Sequence, residues 1–410
     1  MSTTSFSTVA ARPWQLSQPA SFALLASIVL FFLAGSAAPT PLYPVYQAAW
    51  GFSPVTVTVV FGIYALAVLA TLLTFGSLSD HVGRRPVLIV ATLTQALTMM
   101  IFASAHGLAA LVVARVVQGL STGAAIGAIG AGLLDIDRSR GTIANSVAPM
   151  AGTATGGILS GLMVQYLPAP THLVYLVLGV IFVVQAGGVA LMPETVAPRP
   201  GALASLRPRL RVPAGLRGAV LLAAPALVAS WALAGFYGSL GPALVRRILA
   251  SSSFVVGGLT LFVLAGSGAV TVLLLRRWPA LRMMNFGAAA LIVGVGLTLV
   301  ATAHGMAPLF FAGAALAGAG FGTGFQGAIR TVLPRTAAAD RAGVLSVLFV
   351  ISYLGMGVPA VLGGLRVVHG GGLFATSREY GAAVMALAAL ALAGGLVRAR
   401  REREAGAQLQ

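Results

Sequence analysis

"GSLSDHVGRRP", residues 76–86, interrupts two stretches of nearly pure hydrocarbon. Within it an Asp, a His and two Arg fall in the six residues from Asp80 to Arg85, with Gly83 among them. Apolar runs flank it on both sides, at about 54–78 and 87–105. Each is long enough for a bilayer crossing, which takes about 20 apolar residues as a helix. The charged segment is therefore a turn outside the lipid. The fold follows from how many such crossings the chain contains.

The composition gives the solvent. Of 410 residues, 58% are hydrophobic and only 8% charged, with a mean hydropathy of +0.96. A soluble domain carries roughly 25% charged residues, so this chain cannot cover a water-facing surface. Twelve runs qualify as spans, at about 21–43, 54–78, 87–105, 108–133, 141–167, 171–192, 217–245, 253–275, 283–303, 306–332, 342–367 and 377–397. Lipid offers no partner for backbone N–H and C=O groups, so the spans are helices. The expected fold is an all-α membrane protein. "AGSAAPT" (34–40) follows the first run as a signal-peptidase site would, but that run is long for a signal peptide and only Arg12 precedes it. It is read as a retained span.

All 25 basic residues are Arg, and their placement sets the orientation. With the N-terminus inside, twenty lie in inside segments, four outside (Arg246, Arg247, Arg366, Arg378), and Arg115 lies within a span. The expected location is the bacterial cytoplasmic membrane, with both termini cytoplasmic. The net charge of +17 therefore reports topology. Without a basic stripe or an aromatic platform, no nucleic-acid partner is expected. The chain has no Cys, and its five His residues are scattered. No metal site, cofactor or catalytic group is expected.

The chain also repeats. "ASAHGLAAL" (103–111) and "ATAHGMAPL" (301–309) share six of nine positions at an offset of 198. Both link one span to the next, the third to the fourth and the ninth to the tenth. A weaker echo pairs Asp137-Arg138 with Asp340-Arg341 and Gly161-Leu162 with Gly364-Leu365, at an offset of 203. The Pro- and Arg-rich connection between spans six and seven reads as a linker. The expected organisation is a tail (1–20), a six-helix bundle (21–192), a cytoplasmic linker (193–216), a second six-helix bundle (217–397) and a tail (398–410). Such pseudo-symmetric halves are a transporter architecture, with the site between them near the midplane.

The pattern Gly76-x-Leu78-x-Asp80-x-x-Gly83-Arg84-Arg85 resembles the signature loop of the major facilitator superfamily, at the place that family puts it. "LVVARVVQGLSTGAA" (111–125) resembles the family's second motif, with Arg115, Gln118 and Gly119 in register. With the twelve spans and the central linker, the resemblance covers the whole chain. It implies that Asp80 meets the start of span eleven, near Arg341–Gly343. It also implies that Arg84 bridges to the inner end of span four, at Asp135 or alternatively Asp137. Gly76, Asp80, Gly83, Arg84, Arg85 and Asp135 would then form a cytoplasmic latch between the halves. "LLLRRWPALR" (273–282), the equivalent loop of the second half, has arginines but no Asp.

Arg115 lies about seven residues into span four, roughly 10 Å from its outer end. A charge at that depth is costly, so it is expected to face the cavity, bonded to Gln118, to carbonyls or to a ligand, as a coupling or substrate residue. Every Asp and Glu falls at a span end or in a loop, which departs from proton-coupled relatives; the alternatives are coupling through the Asp80–Arg84–Asp135 group or transport driven otherwise. "APMAGTATGGILSG" (148–161) resembles the family's antiporter motif through Gly152, Gly156 and Gly157, with Thr153 where Pro is expected. By the same resemblance, spans one, four, seven and ten line the cavity. The candidates there are Phe31, Phe32, Trp231, Phe236, Tyr237, Phe321, Phe325 and Gln326, joined by Tyr64, Gln95 and Tyr353 from neighbouring spans. An apolar, aromatic cavity with one cation suits a neutral or acidic amphiphile. The expected function is alternating-access secondary transport by a monomer: proton-coupled export of such molecules (multidrug or metabolite efflux), alternatively import or facilitated passage of a small organic acid, and distantly a non-transporting membrane sensor.

Overall fold

The computed structural model describes residues 15–407, so Arg12 lies outside the described residues. Twelve long helices run through it: α1 Gln18–Ala37, α2 Pro54–Phe75, α3 Arg84–Ala103, α4 Leu108–Ile136, α5 Arg138–Tyr166, α6 Leu173–Leu191, α7 Arg217–Ser239, α8 Phe254–Leu274, α9 Ala280–His304, α10 Ala307–Val332, α11 Arg341–Arg366 and α12 Gly372–Ala407. The twenty residues of α1 rise about 30 Å, the thickness of a bilayer's hydrocarbon core. The described residues contain no strand. The protein is an all-α integral membrane protein.

Local chemistry sets the helix ends. Ser17 and Ser53 accept N–H bonds in the first turns of α1 and α2. Asp137 is the single residue between α4 and α5, and its carboxylate accepts the Arg140 N–H at 2.9 Å. Two expected spans are shorter than their apolar runs. The first ends at Ala37, before Pro39 and Pro41, and a short helix Tyr43–Trp50 follows. The seventh ends at Ser239, and Pro242 opens a short helix Gly241–Ile248. The last span is longer than expected: α12 continues to Ala407, through most of the residues read as a tail. Between α11 and α12 the chain bends at Gly370 and Gly372, both at positive φ, a conformation glycine adopts without strain.

The repeat is visible in three dimensions. The two short helices are eight residues each and start 198 apart. Thr40 and Gly238, also 198 apart, meet directly: Thr40 Oγ1 donates to Gly238 O at 3.3 Å. The second offset belongs to α5 and α11, whose preceding residues are Asp137 and Asp340. Each half has its own apolar core. Leu25, Ile28, Phe32, Leu88, Phe102 and Phe182 pack the first; Leu233, Leu264, Leu291 and Phe310 anchor the second. The outer girdle is apolar as well, with Val90, Val180, Val184 and Leu221 well exposed, because lipid covers it.

With twelve crossings, both ends and the 193–216 linker lie on one face, the linker face; the other is the far face. The halves meet along two seams, α5 against α8 and α2 against α11. Gly161 sits where a Cβ would lie 2.8 Å from Phe254 O, and at Gly364 a Cβ would collide with Thr58. These two glycines, 203 apart, do the same job on opposite seams near the far face. Two hydrogen bonds join the halves among the described residues: Thr40 to Gly238, and Phe254 N to Gln165 Oε1 at 2.9 Å. Both lie toward the far face.

Candidate functional site

The charged turn folds back on its own half. Ser79–Val82 forms one helical turn and α3 begins at Arg84, so Gly83 must reverse the chain, at φ +99°. A side chain there would also lie 2.6 Å from Glu194 Oε2. The Arg84 side chain is only 7% exposed. Its Nη1 donates to Asp80 Oδ1 at 2.5 Å and Ser79 Oγ at 2.7 Å, and its Nε to Asp135 Oδ2 at 3.2 Å. Thr195 Oγ1 donates to the same Asp135 oxygen at 3.1 Å. Arg85 reaches the other way, to the carbonyls of Val189 and Ala190 at the end of α6, where the helix dipole favours a cation.

Glu194 completes the cluster, and no sequence motif marks it. Its carboxylate accepts the backbone N–H groups of Arg84 at 2.8 Å and Arg85 at 3.0 Å, the first N–H groups of α3. It thus caps α3 from the start of the linker, with a negative charge at the positive end of the helix dipole. The linker is bound to the turn further along. Arg199 N donates to His81 O at 2.8 Å, and Ser77 Oγ to Ser205 O at 3.2 Å.

The expected docking of Asp80 on the start of α11 is not made in this conformation. The Asp80 side chain is 56% exposed and paired with Arg84. Gly343 is approached instead by the linker backbone at Arg211, which a Cβ on the glycine would meet at 3.2–3.3 Å. At the linker face the halves are thus bridged through the linker.

Arg115 is fully buried, and it is not in the cavity wall. It turns into the first half, toward the C-terminal end of α1. Its Nη1 donates to Ser36 O at 3.0 Å and Gln118 Oε1 at 2.7 Å, and its Nη2 to Tyr43 Oη at 2.5 Å. Gln118 Nε2 donates to Gly35 O at 3.0 Å. The rings of Tyr43, Tyr64 and Phe102 lie 5.3–5.8 Å from the guanidinium. No carboxylate contacts it. The compensating negative charge is the carbonyl end of α1, strengthened by aromatic faces.

The antiporter-like glycines are packing positions. A Cβ at Gly152 or Gly156 would collide with the α1 backbone at Leu30 or Ala34, and one at Gly157 would lie 3.0 Å from Leu261 Cβ of α8. They seat α5 against α1 and α8. Thr153, between them, opens onto the cavity.

That cavity lies between the halves and holds about 910 Å³ of empty space, its mouth included. Six aromatic side chains line it: Phe61, Tyr64, Trp231, Phe321, Phe325 and Tyr353. Trp231 organises them, with ring centroids 5.3 Å from Phe325, 5.0 Å from Tyr353 and 6.4 Å from Phe321. Leu33, Ser36, Ala37, Thr40, Pro149, Met150 and Thr153 complete the wall on the first-half side, and no charged residue is in it. The Trp231 Nε1–H is buried without a partner.

Several expected wall residues lie elsewhere. Phe32 packs edge-on against Phe182 at 5.3 Å in the first core, and Phe31 lies against that core. Tyr237 stacks on Phe310 at 6.2 Å inside the second half, and Phe236 beside it. Gln326 and Gln95 are absent from the wall; Gln95 is fully buried, and a Cβ on Gly35 would lie 3.5 Å from its Nε2. Helix α4 contributes nothing to the wall. Its Gly119, Gly123 and Gly127 lie directly against the α2 backbone, which turns its polar face away from the cavity. Helices α2, α5, α8 and α11 contribute instead.

The sequence profile of the Major Facilitator Superfamily matches residues 24–301, and the chain belongs to this family. Solved structures share the fold across nearly the whole chain. A mutant form of the nucleoside transporter NupG superimposes with a TM-score of 0.71 at 13% identity, covering 92% of this chain and 100% of that one. The human organic anion transporter MFSD10 (TETRAN) gives 0.65 at 17% identity, again covering 92% and 100%. The protein is a secondary transporter and not an enzyme.

Proposed function

We propose that this transporter exports small, largely apolar aromatic molecules, neutral overall and carrying a hydrogen-bond acceptor, in exchange for protons. The observation that carries this reading is the cavity wall. It has six aromatic side chains, no charge and one buried, unpartnered indole N–H. A bound molecule that stacks on the rings and offers an acceptor to Trp231 Nε1 completes what the wall leaves unmade. A free carboxylate or ammonium would enter without a counter-charge, which burial penalises. Import of an organic acid needs a cation in the cavity; Arg115 lies outside its wall, makes its three hydrogen bonds inside the first half and leaves its Nε buried there without a partner.

The arginine bias supports a cytoplasmic linker face. In that orientation the halves are held together on the outer side by both of their direct hydrogen bonds, and Asp80 pairs with Arg84 instead of docking on α11. Proton exchange is assigned to the carboxylates around Arg84, namely Asp80, Asp135 and Glu194, since the cavity wall holds none.

The test is the purified protein in liposomes under an imposed pH gradient. The panel holds neutral aromatic compounds, nucleosides (the named cargo of one structural neighbour) and organic acids. Gradient-driven movement of neutral aromatics is expected. Trp231→Phe keeps the ring and removes the donor; it should weaken their apparent affinity about two- to tenfold, the net worth of one hydrogen bond. Transport of organic acids alone, or indifference to both the gradient and the substitution, would reject the reading.

A further inference from the structure

Away from the central cavity, a second crevice of about 660 Å³ opens sideways between α7, α11 and α12. Its rim, toward the far face, is a charge pair. Arg366 Nε and Nη2 donate to the two oxygens of Glu379, both at 2.8 Å, and both side chains are about half exposed. Below the rim the wall is apolar: Ala232, Pro359, Leu362, Val384 and Leu387. From Arg366 to Pro359 along α11, and from Glu379 to Leu387 along α12, the drop is about 10–12 Å at 1.5 Å per residue. That spans most of one leaflet's hydrocarbon, which is about 15 Å thick. Leu362 and Leu390 beside it are well exposed, so the crevice faces lipid.

One further group points to an occupant. Thr376 is 2% exposed and lines the crevice, yet its hydroxyl has no partner. The Tyr380 hydroxyl, next to it in the wall, is already bonded to Ala232 O at 2.8 Å.

We propose that this crevice binds a phospholipid of the far leaflet whose head carries both a phosphate and a primary ammonium. The rim presents a cation and an anion at one level, with no net charge to attract a purely anionic head. The phosphate meets the free Nη1 edge of Arg366 and the Thr376 hydroxyl, and the ammonium donates to Glu379. One acyl chain fills the apolar slot. The site clasps the bend between α11 and α12, and α11 forms one of the two seams between the halves. A lipid here braces that seam from outside. The inference rests on the membrane setting alone and is independent of what is transported or in which direction.

The experiment titrates purified full-length protein in detergent with phosphatidylethanolamine, phosphatidylcholine or phosphatidylglycerol. Native mass spectrometry and the thermal melt are the readouts. Phosphatidylethanolamine should bind about tenfold more tightly than the other two, the scale of one charge-assisted contact that they lack, and should raise the melt most. The double exchange Arg366→Glu with Glu379→Arg keeps an ion pair but inverts its order; it should abolish this preference while leaving the lipid-free melt unchanged. Thr376→Val, which is nearly isosteric, should weaken binding without altering the fold. Equal binding of the three lipids, preference for phosphatidylglycerol, a preference that survives the double exchange, or undiminished binding to Thr376→Val would overturn the proposal.

Discussion

Replacing Arg115 separates two roles that a buried arginine can have. The guanidinium makes three hydrogen bonds and touches three aromatic rings, and it lies outside the cavity wall. Arg115→Ala leaves the Ser36 carbonyl, the Gln118 amide oxygen and the Tyr43 hydroxyl without their donor in a core that water does not reach. Hydrogen bonds to a charged group contribute about 1.5–3 kcal/mol each. They do not add, so the loss on removing one side of a buried charged cluster, about 3–5 kcal/mol, is the better guide. Arg115→Lys keeps the charge but cannot fork to three acceptors, and should cost about 1–3 kcal/mol. Thermal melts of the purified protein should therefore fall in the order wild type, Lys, Ala. Ligand affinity, measured below the melt, should change by less than about tenfold, or about 1.4 kcal/mol, because Arg115 only props the Ser36 and Tyr64 segments of the wall. An Ala variant with an undisturbed melt and no ligand binding would refute the argument and make Arg115 a substrate contact.

The charged turn and the seams give further tests. Gly83→Ala puts a side chain at positive φ and against Glu194; the backbone strain alone is about 1–3 kcal/mol, and the melt should drop accordingly. Asp80→Asn weakens an ion pair whose carboxylate is half exposed and whose arginine keeps Asp135 and Ser79, a stability effect of about 1 kcal/mol, yet it should slow transport in liposomes severely. A wild-type rate in that variant would take Asp80 out of the transport cycle. Gly161→Ala and Gly364→Ala each push a methyl group into the opposite half near the far face, so both should loosen that seal. Since the chain has no cysteine, Thr153→Cys in the cavity can report by labelling from the far side. Both glycine variants should speed labelling to a similar degree, and slow labelling in either would contradict the equivalence of the seams.

The twelve crossings were legible because hydropathy measures what lipid demands, and the repeat was legible wherever a turn had to be rebuilt, as at His106 and His304. The inward face of each helix was not legible. A span in this protein is apolar toward its neighbours and apolar toward lipid, so periodicity carries little direction. Phe32 and Tyr237 therefore read like Trp231, although only Trp231 lines the cavity. The depth of Arg115 implied burial but not the side it faces; that was decided by the glycines of α4, which seat the helix on α2. Glu194 was readable only as an acid after a span. Its role depends on the end of α6 returning beside the start of α3, a contact that 110 residues of sequence separation conceal.

The two halves solve the same linker-face problem with opposite chemistry. In the first, the turn between α2 and α3 supplies the cation: Arg84 is received by Asp80 and Asp135, with Glu194 capping the helix behind it. In the second, the turn between α8 and α9 supplies only carbonyls, and the cation comes from α10. There Arg330 donates to Arg276 O at 3.1 Å and Trp278 O at 2.9 Å. The Arg84 cluster is therefore built on carboxylates and the Arg330 contacts on backbone carbonyls, so the internal two-fold symmetry of the fold is broken at these two turns. The asymmetry that begins at Asp80 in the sequence is the feature to which the proposed proton coupling is assigned.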